Sequence, residues 1–218
     1  MTLQSTLPVR ILIVDDHPIV RFGIRQMIDA DPGLSIRGEA DSGEAALEQL
    51  RSTPIDLAIV DLSLRNGSGL ELIRTMRGLN PDVRVLVLSM HDEALFAERA
   101  LRAGAHGYIM KQESVDDLVH AIQEIVAGRL YVSEPMLRSL SKRLGEEAPA
   151  HGRLANLTDR EFEVFEMIGR GLSTAVIAER LGVSIKTIET YRSNLKAKLD
   201  LKDAADLIRY AATWTERL

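Results

Sequence analysis

The sequence predicts an α/β domain built on a five-stranded doubly wound parallel sheet, followed by a small all-α domain. Three observations carry that prediction. Short β-branched apolar runs alternate with helical patterns five times across residues 9–127, which is the signature of a parallel sheet covered by helices on both faces. One of those runs, Leu57-Ala58-Ile59-Val60, is apolar throughout, as a strand buried on both faces must be. From Leu157 onward such runs cease, and helical spacing with capping signals takes over.

Taken in order, residues 9–14 (VRILIV) form the first strand and run into Asp15-Asp16. Pro18, a residue suited to a first helical position, opens a helix with Ile19, Val20, Ile24, Met27 and Ile28 at helical spacing. A weaker strand over residues 34–40 is followed by a helix from Ser42 with Ala45, Ala46, Leu47 and Leu50. The third strand ends at Asp61, and its helix starts at Gly69 with Leu70, Leu72, Ile73 and Met76. The fourth covers residues 83–88 and ends at Ser89, and a helix through Leu95 and Leu101 stops at Gly104. Residues 107–110 (GYIM) form the fifth strand, ending at Lys111, before a helix over residues 115–127. Right-handed crossovers favour the order 2-1-3-4-5 for such a chain.

Composition sets the outer bounds. The 218 residues contain no Cys, so disulfide frameworks, thiol nucleophiles and Cys-based zinc sites are excluded. The start of the chain lacks a secretory pattern and no apolar run approaches membrane-spanning length, so a cytoplasmic location with no membrane partner is expected. Charge is uneven: residues 1–153 carry 17 Lys+Arg against 22 Asp+Glu, whereas residues 154–218 carry 10 of each. Residues 186–202 hold Lys186, Arg192, Lys196, Lys198 and Lys202 against Glu189 and Asp200, a basic stripe able to touch a few phosphates.

In the 2-1-3-4-5 order strands 1 and 3 are neighbours, so Asp15, Asp16 and Asp61 converge at the carboxyl end of the sheet, where ligands bind in such folds. Ser89 and Lys111 approach from the other side. Each residue has an ordinary explanation taken singly: Asp15 or Asp16 could cap the helix opened by Pro18, Ser89 could be a turn residue, and Lys111 a solvated strand end. Together they imply more, because three adjacent carboxylates repel unless a cation intervenes. Mg2+, a hard ion that takes one or two carboxylates plus water and phosphate oxygens, fits that need. A carboxylate beside it can be a nucleophile toward a phosphoryl group. Asp61 is the best-placed acceptor; Asp15 and Asp16 then serve the metal, Ser89 offers a hydroxyl and Lys111 a positive charge.

This constellation resembles the receiver domain of two-component response regulators, a flavodoxin-like fold. The residues that carry the match are Asp15-Asp16, Asp61 followed by Gly69, Ser89, and Lys111 preceded by Tyr108, across residues 9–127. The resemblance implies phosphoryl transfer from a sensor histidine kinase to Asp61. It also implies an Mg2+ ligand from the Ser63 backbone carbonyl, and a switch pair in which Ser89 moves toward the phosphate while Tyr108 turns inward. Tyr108 also reads as a plain core aromatic. Two departures stand out: Leu64-Arg65 replaces the family's usual Met-Pro, and Gln112 follows the lysine where Pro or Asp is frequent. Ser63 and His91, each two residues past a site residue, are expected to flank the water path that sets the acyl phosphate lifetime.

The domain plan is a receiver over residues 1–128, a linker over residues 129–153 and a DNA-binding domain over residues 154–218. The linker contains a short amphipathic helix with Met136, Leu137, Leu140 and Leu144 on one face, then a polar, breaker-rich stretch. In the last part, Leu157-Thr158-Asp159-Arg160-Glu161-Phe162 is a capping box with a hydrophobic staple. A helix capped by Ser173, a turn at Gly182-Val183-Ser184 and a helix from Ile185 make a helix-turn-helix. The exposed face of that last helix carries short polar groups and cations, which suits phosphates and base edges.

This segment is similar to the LuxR-type (NarL/FixJ) output domain, with Tyr191 where that family most often has His. The similarity implies that Glu189, Thr190 and Ser193 face bases, that Lys186, Thr187, Arg192 and Lys196 hold phosphates, and that the final helix mediates dimerisation. The whole then reads as a transcriptional regulator rather than an enzyme: phosphorylation promotes a homodimer that binds paired half-sites on double-stranded DNA. Two alternatives share parts of the sequence signal: a constitutive DNA binder with a passive receiver, and an Mg2+-dependent phosphotransferase or phosphatase acting on small molecules.

Overall fold

The computed structural model describes residues 7–64, 68–90, 93–138, 154 and 157–215. The chain divides into two compact units, Met1–Arg138 and Ser139–Leu218.

In the first unit, strands β1 (Val9–Val14), β2 (Leu34–Ala40), β3 (Leu57–Val60), β4 (Arg84–Ser89) and β5 (Gly107–Met110) alternate with helices α1 (Pro18–Asp29), α2 (Gly43–Ser52), α3 (Gly69–Leu79), α4 (Glu93–Ala103) and α5 (Val115–Val126). The strands pair in parallel in the order β2-β1-β3-β4-β5, as the sequence predicts. All four residues of β3 are buried, which is why its sequence shows no polar alternation. On one side of the sheet, Ile11, Ile13, Leu57, Ile59 and Leu86 pack against Ile24 and Ile28 of α1 and Leu118, Ile122 and Ile125 of α5. Ile19, expected on the apolar face of α1, instead stands 76% exposed beside the exposed Phe22. The apolar stripe of α1 is thus wider than the surface the sheet offers it.

After α5 the chain continues through a bridge at Tyr131 into a helix, α6, described over residues 134–138. Of the face expected on this helix, Met136 is buried and Leu137 is exposed; Leu140, Leu144 and the polar stretch to residue 153 lie outside the described residues.

The second unit contains α7 (Asp159–Gly169), α8 (Thr174–Arg180), α9 (Ile185–Leu199) and α10 (Ala204–Thr215). The predicted capping box closes α7: the Thr158 side chain accepts from the Glu161 amide, and the Thr158 amide donates to Glu161 Oε2 at 2.8 Å. Phe162 and Phe165 meet Trp214 with ring centroids 5.4 Å apart in both cases, which fastens α10 onto α7. Arg160 donates to the Leu181 carbonyl at 2.8 Å, tying α7 to the α8–α9 turn, where Gly182 has φ +63°. Ser184 caps α9, and Ile188, Leu195 and Leu199 bury one face of it.

Candidate functional site

Register delivers the acidic pocket. Val14 stands opposite Val60, so the next residues, Asp15 and Asp61, leave adjacent strands at one level. The Asp61 amide donates to the Val14 carbonyl at 2.8 Å. On the other side Ser89 pairs with Met110, and the Lys111 amide donates to the Ser89 carbonyl at 2.9 Å. The Gly69 start of α3 comes close beneath: a Cβ there would lie 2.5 Å from Leu62 Cα and 2.7 Å from the Asp61 carbonyl oxygen. Only glycine lets the helix approach the acidic strand end so nearly.

All three carboxylates are buried, Asp15 and Asp61 at 2% exposure and Asp16 at 8%. Lys111 Nζ bridges two of them, 2.6 Å from Asp15 Oδ2 and 2.7 Å from Asp61 Oδ2. Burial works against the ammonium charge, but the Asp61 and Asp15 carboxylates override it and raise the Lys111 pKa above its ordinary value. Lys111 is therefore a fixed cation. The Ser63 amide donates to Asp61 Oδ1 at 3.1 Å, which sets the Ser63 backbone beside that carboxylate. Ser89 is fully buried at the end of β4, and Tyr108 is buried at 1% exposure, its ring directed into the protein. His91 and Arg65 lie outside the described residues.

The helix-capping explanation of Asp15 and Asp16 does not hold. The N-cap of α1 is His17, without a side-chain cap bond, and Asp15 Oδ1 accepts from the His17 amide at 2.7 Å. Sequence reasoning also passed over two neighbours. His17 Nδ1 lies 2.8 Å from Asp16 Oδ1 and 3.3 Å from Asp15 Oδ1, and an imidazole directly after two carboxylates was the available signal. Arg21 donates to the Asp15 carbonyl at 2.6 Å and lies 3.4 Å from Glu39 of β2, a contact that helical spacing alone does not reveal.

Ligand atoms of Asp15, Asp16, Asp61 and His17 all lie within 4.8 Å of one another. Three buried carboxylates against one lysine leave an excess of negative charge that calls for a further cation. The donors are mainly hard carboxylate oxygens, the set that suits Mg2+. Chemically, the pocket offers an oxygen nucleophile flanked by a fixed cation and room for a metal.

In the second unit, the predicted DNA-facing residues all fall on α9 but not on one face. Lys186, Glu189, Thr190 and Ser193 are exposed along one stripe, while Thr187, Arg192 and Lys196 are half-buried at its flanks. The Arg192 side chain is only 15% exposed and points toward Thr174 of α8, at 3.5 Å. Lys198 leaves the basic stripe altogether: its Nζ lies 2.6 Å from buried Glu161 of α7. That partner is the first reason the Glu161 pKa falls despite the opposing cost of burial.

Both halves match known families. Residues 11–123 match the response regulator receiver domain, and residues 155–211 match the bacterial regulatory proteins of the luxR family. The chain belongs to the two-component response regulators with a LuxR-type output domain. A putative transcriptional regulator of Pseudomonas aeruginosa is 37% identical over 93% of this response regulator and 96% of its own length. RcsB from Salmonella enterica serovar Typhimurium, solved bound to promoter rprA in the presence of the phosphomimetic BeF3−, is 27% identical. That match covers 94% of this regulator and 98% of the RcsB chain, with a TM-score of 0.64. A structure of two RcsB dimers bound to two parallel DNAs shows the same identity and coverage, with a TM-score of 0.58. The regulator is a DNA-binding transcription factor, and its acidic pocket is the kind that receiver domains use to bind Mg2+.

Proposed function

We propose that Asp61 accepts a phosphoryl group from the phosphohistidine of a sensor histidine kinase. A carboxylate oxygen of Asp61 forms the new P–O bond as the P–N bond of the donor breaks and the imidazole leaves with the electron pair. Lys111, held between Asp61 and Asp15, stabilises the charge on the phosphoryl oxygens. Asp15, Asp16 and Asp61, with the Ser63 carbonyl, would hold Mg2+, which supplies further charge neutralisation when bound. The Ser89 hydroxyl then meets the phosphoryl group, and the inward ring of Tyr108 belongs to the switched state. One observation carries this reading: a lysine bridges two buried aspartates on adjacent strands, with a third aspartate beside them.

In the same reading, residues 1–128 receive the signal, residues 129–153 connect, and residues 154–218 bind DNA in the cytoplasm. Phosphorylation promotes a homodimer, and two weak half-site contacts gain strength from their effective concentration. The dimeric RcsB assembly on DNA supports that step. Glu189, Thr190 and Ser193 face bases, while Lys186, Thr187, Arg192 and Lys196 hold phosphates.

Acetyl phosphate with Mg2+ tests the acceptor. Intact-mass analysis is expected to show one phosphoryl adduct on the native chain, none after chelation of the metal, and none on Asp61→Asn. An equal adduct on Asp61→Asn would assign the acceptor elsewhere.

A further inference from the structure

β5 is the last strand of the sheet, and such an edge ordinarily presents unpaired backbone groups. Here the chain doubles back after α5 and covers it. Tyr131 forms a parallel bridge with Gly107. Its amide donates to the His106 carbonyl at 3.1 Å, and its carbonyl accepts from the Tyr108 amide at 2.8 Å. The Tyr131 ring meets His120 of α5 edge-on, with centroids 5.8 Å apart. Two residues later the Ser133 amide donates to Glu93 Oε1, at the start of α4, at 2.8 Å. Val132 and Met136 are buried. The segment is a strap fastened to α4, β5 and α5 in turn.

Gly107 is the seat of this strap. It is not among the glycines with positive φ, so its own backbone conformation does not call for glycine. The close approach does: a Cβ at 107 would lie 2.8 Å from the Tyr131 carbonyl oxygen and 3.1 Å from Tyr131 Cβ. The nearest atom, Ile125 Cδ1 at 2.7 Å, is by contrast the end of a side chain that can turn away. The next residue, Tyr108, gives its amide to the strap and its ring to the core. Beyond the strap, the chain leads to the DNA-binding unit.

We infer that the docking of this strap is coupled to the state of the phosphorylation site, with Gly107 and Tyr131 as its positioning residues. Docking of Tyr131 along β5 and the inward placement of Tyr108 stabilise one another, so phosphorylation tightens the strap and a loosened strap weakens the phosphorylated state. This rests on the reading of Asp61 and Tyr108 given above. Reciprocity between linked equilibria makes the coupling measurable from both ends.

The test uses the full chain, with beryllofluoride and Mg2+ as the phosphoryl mimic. Backbone amide exchange at Tyr131 and Tyr108 is expected to slow by about 5- to 150-fold on addition of the mimic, the span of ordinary allosteric coupling. Gly107→Ala is expected to speed Tyr131 exchange and to weaken beryllofluoride binding by a comparable factor. Tyr131→Pro lies outside every helix and strand and cannot donate to His106; it is expected to weaken beryllofluoride binding in the same way, even if Gly107→Ala does not fold. Uptake of beryllofluoride with unchanged exchange, or equal affinity in native and variant chains, would overturn the coupling and leave the phosphoacceptor reading standing. A native chain that takes up no beryllofluoride would overturn both.

Discussion

Acidification should loosen the root of β5 through one residue, His106. Its Nδ1 accepts a hydrogen bond from the Val85 amide at 3.1 Å, which only an unprotonated nitrogen can do. Burial, followed by the charges of Arg77 and Arg84, lowers its pKa from 6.5 to about 4. A histidine kept neutral by folding takes up its proton first in the unfolded chain. The stability it contributes is therefore present above pH 6.5 and lost as pH falls toward 4. From about pH 7.5 to about pH 5 that loss would be about 2 kcal/mol for a fully shielded ring. The ring is half-buried, and solvent screening reduces the figure to about 1 kcal/mol. Urea denaturation of native and His106→Gln chains at both pH values isolates this contribution, since Gln retains an acceptor and does not titrate. The stability gap between the two is expected to shift by about 1 kcal/mol in favour of His106→Gln at the lower pH. NMR of the imidazole resonances should place the His106 midpoint well below the ordinary range. An ordinary midpoint, or a gap independent of pH, would refute the argument.

Two further outcomes separate a structural lysine on α9 from those proposed to contact DNA. Lys198→Met removes the cation beside buried Glu161 but leaves the Thr158 amide bond to that carboxylate; with Lys198 partly exposed, a loss of about 1–2 kcal/mol in urea denaturation is expected. The same variant should leave the salt dependence of binding to duplex DNA unchanged, whereas Lys186→Ala and Lys196→Ala should each lower the slope of log affinity against log salt by about 1.

Much of the receiver was legible because its signals are local. An all-apolar β3 announces burial on both faces, and strand ends that carry Asp15, Asp61, Ser89 and Lys111 announce a site once the strand order is inferred. The Thr158–Glu161 capping box and the Ser173 cap were equally visible, since both partners lie within one helical turn. Less was legible where a residue type serves two environments. Ile19 and Ile24 look alike in a helical pattern, yet one is exposed and the other buried, because pattern alone does not say how much sheet lies beneath. Lys198 and Lys186 look alike in a basic stripe, yet one is committed to Glu161 from another helix.

By itself, then, the sequence determined the order of elements, the parallel sheet and the identity of the acidic cluster, since periodicity, caps and strand ends are written over a few residues. Tertiary structure alone decided which contacts cross long intervals of chain: Lys111 between Asp15 and Asp61, Lys198 on Glu161, and the Tyr131 strap on the edge of β5. Those pairings depend on how closely distant backbones approach. The short distances at Gly69 and Gly107 arise only when the packed sheet and helices set them.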